Sequence, residues 1–307
     1  MAASAPGKLI LFGEHAVVFG EPALSTAINL RAEVYVRPHT EWLADGASLD
    51  EPRFRYVKAC VRKAKAQSPL WMEIRSAVPS GAGLGSSAAV TVATLGALHA
   101  VSASLDVPSI AREAFEVEHE VQGRASPLDT STASAGGGVL VLREPRDDLL
   151  WSIERDTRRW FLHRVVLPPV DFVIGNTGIS AATGPLVARV KERFDQDPKA
   201  AEAIHEIGGI TVDGLRAFRG KDFVEAGRLM DRNHALLTGL GVGHPALDRL
   251  VDAARPSSYG AKLTGAGGGG SIVALTDQPS ATAEAIRRAG GKAFIVRSDP
   301  AGVTKLP

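Results

Sequence analysis

Glycine is the residue that most constrains how this chain can fold. Thirty-two glycines occur among 307 residues, and they gather at 81–85, 136–138 and 265–270 inside apolar surroundings. Clusters of this kind place backbone where a Cβ would collide, against a ligand or against other backbone, rather than forming a flexible linker. The length suits one large domain or two moderate ones with a sizeable core. A formal net charge of +1 gives no global field to attract nucleic acid or a membrane surface, so neither is an expected partner. Any substrate charge must be met locally, in a site. The single cysteine, Cys60, cannot form an intramolecular disulfide, so nothing requires an oxidising compartment. The apolar stretch near the N-terminus is too short to span a bilayer and is interrupted by Lys8, Glu14 and His15. It also lacks the order of a signal peptide, and a cytoplasmic enzyme is the expectation.

Periodicity and turn residues divide the chain into elements. KLILF, AVVF and AINLRAEVYVRP read as strands around bends at Gly13-Glu14-His15 and Gly20-Glu21-Pro22. Residues 52–67 read as a helix with Phe54, Val57, Cys60 and Val61 on one face, and 72–78 as a strand. A helix over 86–102 without a polar face predicts burial. An amphipathic helix follows at 108–122, opened by Pro108-Ser109. The stretch 123–135 reads as a loop of small polar residues and 136–142 as a strand. Residues 143–160 are charged and turn-like, which suggests two units, 1–160 and 161–307. In the second unit 171–178 and 293–297 read as strands, and helices are expected near 180–195, 199–218, 222–239, 245–254 and 279–289. KLTGAGGGGSIVAL reads as strand–loop–strand or strand–loop–helix.

The segment PSGAGLGSSAAV carries glycines at 81, 83 and 85 and then Ser86 and Ser87 at a helix start. Glycines let successive backbone N–H groups turn toward an anion. The helix N-terminus adds unpaired donors and partial positive charge. Hydroxyls at the first helical positions suit Mg²⁺ or a phosphate oxygen. That combination is a recipe for a triphosphate cradle. The chain has no G-x-x-x-x-G-K-[ST] loop, and Ser86 breaks a G-x-G-x-x-G match at this segment. GAGGGG at 265–270 satisfies that dinucleotide pattern literally, but no βαβ context follows it. It predicts a loop packed against another loop or a ligand.

Two carboxylates lie near the first glycine loop in sequence. Glu118 sits in EAFEVEHEV, on a helix where most glutamates face solvent, and Asp129 sits in GRASPLDTSTASAGGG, as a general base or a cap. Lys8, between Gly7 and an apolar strand, could keep a nearby aspartate ionised and lower the pKa of a hydroxyl held between them. The eight histidines show no metal-ligand spacing.

Three separated segments resemble the three motifs of the GHMP kinases: APGKLILFGEHAVVFG at 5–20, PSGAGLGSSAA at 79–89 and KLTGAGGGGS at 262–271. Within that superfamily the chain is similar to the mevalonate kinases. Ala16-Val17-Val18 follows Gly13-Glu14-His15, where galactokinases carry Thr-Asp-Tyr, and LGVGHPALDRL at 240–250 leads to the third motif. SPLDT resembles the archaeal-type branch. The resemblance implies an α+β fold of two lobes, an N-terminal lobe like ribosomal protein S5 and a C-terminal α/β sandwich. It implies ATP and Mg²⁺ as cofactors, mevalonate as the small-molecule partner, and a homodimer as one assembly. It makes Asp129 and Lys8 catalytic and Ser87 and Glu118 the Mg²⁺ ligands. It places the nucleotide at Pro79, Gly81, Ala82, Gly83, Leu84, Gly85, Ser86, Ser87 and Ala88. It places the acceptor at Lys8, Glu14, His15, Asp129, Thr177, Gly178, Thr183, Gly265 and Ala266. Alternatives are a related kinase acting on phosphomevalonate or homoserine, or a non-catalytic nucleotide-binding relative.

Overall fold

The first lobe grows from two long antiparallel strands, β1 (Ala2–Phe12) and β2 (Ala23–Pro38). The structure is a computed structural model that describes residues 1–101, 105–123, 125–180 and 183–307. On β2, Ala32, Val34 and Val36 are buried while Arg31, Glu33 and Tyr35 between them are not, the period-two pattern of a strand with one face on a core. A short hairpin, β3 (Leu43–Ala44) and β4 (Ala47–Ser48), precedes α1 (Arg55–Lys63) and β5 (Leu70–Ser76). Three helices follow: α2 (Ser86–Val101), α3 (Val107–Gln122) and α4 (Leu128–Ala135). The sheet then resumes with β6 (Gly138–Leu142), β7 (Leu149–Arg155) and β8 (Arg158–Val165). Its strand order is β4-β3-β5-β2-β6-β8-β7, with β1 paired to β2 off this path. As its lack of a polar face demands, α2 is buried almost all round, against β1, β2 and the neighbouring helices.

The second lobe is a four-stranded sheet with helices. Its elements in chain order are β9 (Asp171–Asn176), α5 (Thr183–Gln196), α6 (Pro198–Arg219), α7 (Phe223–Gly239) and α8 (Pro245–Ala254). Then come β10 (Gly260–Thr264), β11 (Ser271–Thr276), α9 (Pro279–Arg288) and β12 (Lys292–Arg297). The strand order is β10-β11-β9-β12. The segment around 262–275 is thus strand–loop–strand, with β10 and β11 antiparallel. A final strand, β13 (Thr304–Leu306), returns to pair with β1, so the chain ends in the sheet where it began. Among the described residues no helix is long and apolar enough to cross a membrane.

Three expectations change. AVVF is a 3₁₀ turn, Ala16–Phe19, because His15 and Gly20 flank it with positive φ of 61° and 85° and no extended run survives between them. The small polar stretch before Gly136 is helical, as α4. Its threonine hydroxyls bond back, Thr130 Oγ1 donating to the Pro127 carbonyl and Thr132 Oγ1 to the Leu128 carbonyl at 2.6 Å, so residue types that favour loops are absorbed by a buried helix. The charged stretch 143–160 holds β7 and the start of β8. Trp151 and Ile153 face inward there while charged neighbours face out, and the expected division at 160/161 falls inside β8.

Candidate active site

A cleft of about 1100 Å³ is lined by β1, the turn after it, the loop 79–87, α3, α4, the β7–β8 hairpin, α5 and the loop 264–270. Its centre is built on a fault in the first sheet. The β1–β2 register shifts between Pro6 and Gly7. At Gly7 a Cβ would lie 2.9 Å from the Leu84 carbonyl oxygen. With glycine there, the Lys8 N–H donates to that carbonyl at 2.9 Å and stitches the glycine loop to the strand. Gly85, at φ 69°, lets the Lys8 side chain pass, since a Cβ would sit 2.8 Å from Lys8 Cγ.

Lys8 is thereby buried with its ammonium delivered to the cleft. Nζ donates to the Gly83 carbonyl at 3.2 Å and pairs with Asp129 Oδ2 at 3.0 Å. The Lys8 side chain is 3% exposed and that of Asp129 33%, so the carboxylate faces the opening and the ammonium stands behind it. Asp129 lies in the first turn of α4, which fixes its backbone.

Beside this pair Ser87 Oγ donates to Glu118 Oε1 at 2.8 Å, and Gln122 Nε2 reaches the same oxygen at 3.3 Å. Glu118 is 4% exposed. Burial first, and then the nearby Asp129 carboxylate, push its carboxyl up to about 7. Ser87 is in the first turn of α2, and the backbone N–H groups at that end are the unpaired donors an anion needs. Among the described residues no group of three or more His, Cys, Asp or Glu gathers into a metal site.

The turn after β1 closes one wall. Glu14 is buried and ion-paired to Lys262 of β10, and Lys262 Nζ also donates to the Leu263 carbonyl at 2.7 Å. Burial pushes the Glu14 carboxyl up and the Lys262 ammonium down, each against the attraction of its partner. His15 Nε2 lies 2.9 Å from the Ala266 carbonyl, which can only accept, so Nε2 carries the proton. Burial lowers the His15 pKa and keeps the ring neutral, so Nδ1 is an acceptor. Glu14 Oε2 and His15 Nδ1 are buried without a hydrogen-bond partner.

The structure gathers Lys8, Glu14, His15, Pro79, Gly81, Gly83, Gly85, Ser86, Ser87, Glu118, Asp129, Gly265 and Ala266 at this one cleft. Ala82, Leu84 and Ala88 turn their side chains into the core instead, because the loop alternates between the cleft and the packing beneath it. Thr177 and Gly178 are not on the cleft wall. Thr177 donates from both N–H and Oγ1 to the Gly270 carbonyl, at 2.9 Å each, and the Gly178 N–H caps Asn176 Oδ1, so both brace the third glycine loop. Thr183 opens α5, and its side chain lies outside the described residues, as do 181 and 182 of the preceding loop. Sequence reasoning missed Lys262, although it lies within the quoted third motif, and it missed the cleft-facing hairpin tip at Arg155 and Arg158. An arginine continuing an apolar alternation was the available signal for the latter.

Comparison with known proteins agrees with this arrangement. Residues 55–138 match the family "GHMP kinases N terminal domain" and residues 214–296 match "GHMP kinases C terminal". The mevalonate kinase of Pyrococcus abyssi is 37% identical, with 98% of this chain and 96% of that protein covered. The crystal structure of the Methanococcus jannaschii mevalonate kinase superposes with a TM-score of 0.79 at 28% identity, covering 97% of this chain and 98% of that one. The L. major mevalonate kinase, solved in complex with R-mevalonate, superposes with a TM-score of 0.82 at 26% identity, covering 97% and 96%. Identity sustained over nearly the whole length, with both family segments in place around a shared cleft, makes this chain a member of the GHMP kinase family.

Proposed function

We propose that this GHMP kinase transfers the γ-phosphoryl group of ATP to the C5 hydroxyl of mevalonate, giving 5-phosphomevalonate and ADP. The observation that carries the reading is the Lys8–Asp129 pair, 3.0 Å apart, opening onto the same cleft as the glycine loop. Whole-length relatives named mevalonate kinase, one of them solved with R-mevalonate, support the choice of acceptor.

ATP lies with its phosphates along 81–87, against backbone donors and the start of α2. Asp129 accepts the C5 hydroxyl proton. Lys8, 3.0 Å from Asp129, stabilises charge on the attacking oxygen. Phosphoryl transfer passes through a loose transition state, so position and electrostatics supply most of the acceleration. Glu14 Oε2 and His15 Nδ1, buried and without partners, are acceptors suited to a hydroxyl of the acceptor molecule.

Ser87 and Glu118 would hold Mg²⁺. The donor set fits: the Ser87 hydroxyl touches a buried carboxylate that stands beside the Asp129 carboxylate at the cleft. Mg²⁺ is commonly held by one or two carboxylates together with phosphate oxygens, so a three-carboxylate cage is not required. When bound, the ion supplies positive charge to the phosphate oxygens. The enzyme is assigned to the cytoplasm, where its one buried thiol, Cys60, needs no oxidised partner.

The test is ADP release with mevalonate, phosphomevalonate, homoserine and galactose. Mevalonate should be preferred, and Asp129→Asn should lower turnover by roughly 10²–10⁴-fold with the KM for ATP nearly unchanged. Preference for another acceptor, or near-parent turnover in the variant, would remove the assignment.

A further inference from the structure

The β7–β8 hairpin carries a pattern that the catalytic pair does not explain. Its paired positions are Trp151 with Leu162, Ile153 with Trp160, and Arg155 with Arg158 across the turn. Side chains alternate along a strand, so these pairs share one face. Trp151, Ile153 and Leu162 on that face are buried in an apolar cluster, with Trp160 packed against it. The pattern then ends in arginine on both strands, and both arginines reach the cleft wall. On the opposite face Glu154 and Arg159 pair with each other. Arg155 and Arg158 make no ion pair among the described residues. Arg155 Nε is buried without a hydrogen-bond partner. A guanidinium N–H buried in that way is costly unless something arrives to accept from it.

The position of the hairpin suggests what arrives. Trp151 Nε1 donates to Ser131 Oγ at 3.1 Å, two residues along α4 from Asp129, which ties the hairpin to the catalytic helix. Val17, Val18, Leu128 and Trp160 belong to one apolar cluster and line the cleft. A short carbon chain with its hydroxyl at Asp129 would lie over this apolar floor, and its far end would meet the arginines. The triphosphate has its own donors at the glycine loop. His119 of α3 also lines this part of the cleft. Asp156, in the exposed turn, is the carboxylate the hairpin tip itself brings to the wall.

We propose that Arg155, with Arg158 beside it, forms an anion subsite of the acceptor pocket that binds the carboxylate at the far end of the acceptor alcohol. The proposal rests on the reading above that the acceptor is an acid-bearing alcohol.

The experiment is steady-state kinetics of Arg155→Gln and Arg155→Lys with mevalonate and with its primary amide, which keeps the hydroxyls and loses the charge. Arg155→Gln should raise the KM for mevalonate by about tenfold to a hundredfold, the range of a charge-assisted hydrogen bond. The KM for ATP should stay at the parent value. Arg155→Lys should recover part of the loss, since it keeps the charge without the planar fork. With the amide, Arg155→Gln and the parent should be alike. Equal losses on acid and amide would make the role structural and overturn the proposal. A raised KM for ATP with an unchanged KM for mevalonate would move the subsite to the triphosphate. A loss in Lys191→Gln, the exposed cation that α5 brings to the same cleft, with none at Arg155 would move it to α5. A parent that phosphorylates no acid-bearing alcohol overturns the functional assignment along with this proposal, whereas an active parent matched by Arg155→Gln overturns this proposal alone.

Discussion

Replacing Lys262 with methionine should destabilise the protein by about 3–5 kcal/mol, because it strands a buried carboxylate. The Lys262 and Glu14 side chains are 0% and 1% exposed. Glu14 Oε1 has Lys262 as its partner and Oε2 has none. Without the ammonium neither oxygen is paired. Burial already pushes the Glu14 carboxyl up against the pull of Lys262, so losing Lys262 pushes it further and the folded variant takes up a proton. A carboxyl raised in the fold binds its proton more tightly there than in the unfolded chain. Its contribution is fully present below the unfolded value of about 4.3 and is lost as pH rises through the folded value. The deficit of Lys262→Met against the parent should therefore be smaller near pH ~5.5 than near pH ~8. Glu14→Leu combined with Lys262→Met removes both charges and should recover most of the loss. Urea unfolding of the parent, both single variants and the double variant gives the cycle, with an expected coupling of about 3 kcal/mol or more. Single effects that add to within about 0.5 kcal/mol, or a deficit that grows on acidification, would refute the claim that this pair is a mutually dependent buried unit.

Two further substitutions probe the cradle and the cation site. Gly85→Ala puts a methyl 2.8 Å from Lys8 Cγ at a φ of 69°, so it should displace the ammonium from Asp129 and lower turnover by about 10²-fold, read from kcat alongside a thermal melt that shows the fold retained. Glu118→Gln should raise the magnesium concentration needed for half-maximal rate while leaving the KM for mevalonate near the parent's, and a magnesium titration that overlays the parent's would count against the assigned ligand.

What could be read from the sequence follows the range of the interactions involved. The glycine loop and the buried helix after it were legible because their causes are local: glycine permits the turn, the helix start supplies donors, and a helix without a polar face demands burial. Most helices of the second lobe were legible for the same reason, through periodicity, and in the fold Asp197 and Asp222 cap two of them, accepting from Lys199 and Glu225 N–H groups. Pairing Lys8 with Asp129 needed the family resemblance, since the residues are far apart in the chain and no local pattern links them. The helix carrying Asp129 was misread because Ser and Thr advertise loops, and only burial against the rest of the lobe turns the Thr130 and Thr132 hydroxyls back onto carbonyls of the same stretch.

Lys262 shows where local reading stops. It stands in a strand whose neighbours Ala261 and Leu263 are apolar, and a lysine between them reads as one that faces solvent. In the fold it faces inward, because a glutamate 248 residues earlier waits there. Neither partner is tolerable in that position alone, so each residue's presence is explained only by the other. Arg155 poses the same question with one answer missing. Its strand register turns it toward the core side, as it does Trp151 and Ile153, yet no carboxylate of the described residues pairs with it. If a half-buried charge is kept where packing alone would favour an apolar residue, its counter-ion comes from outside the chain, and the cleft it lines is where that counter-ion enters.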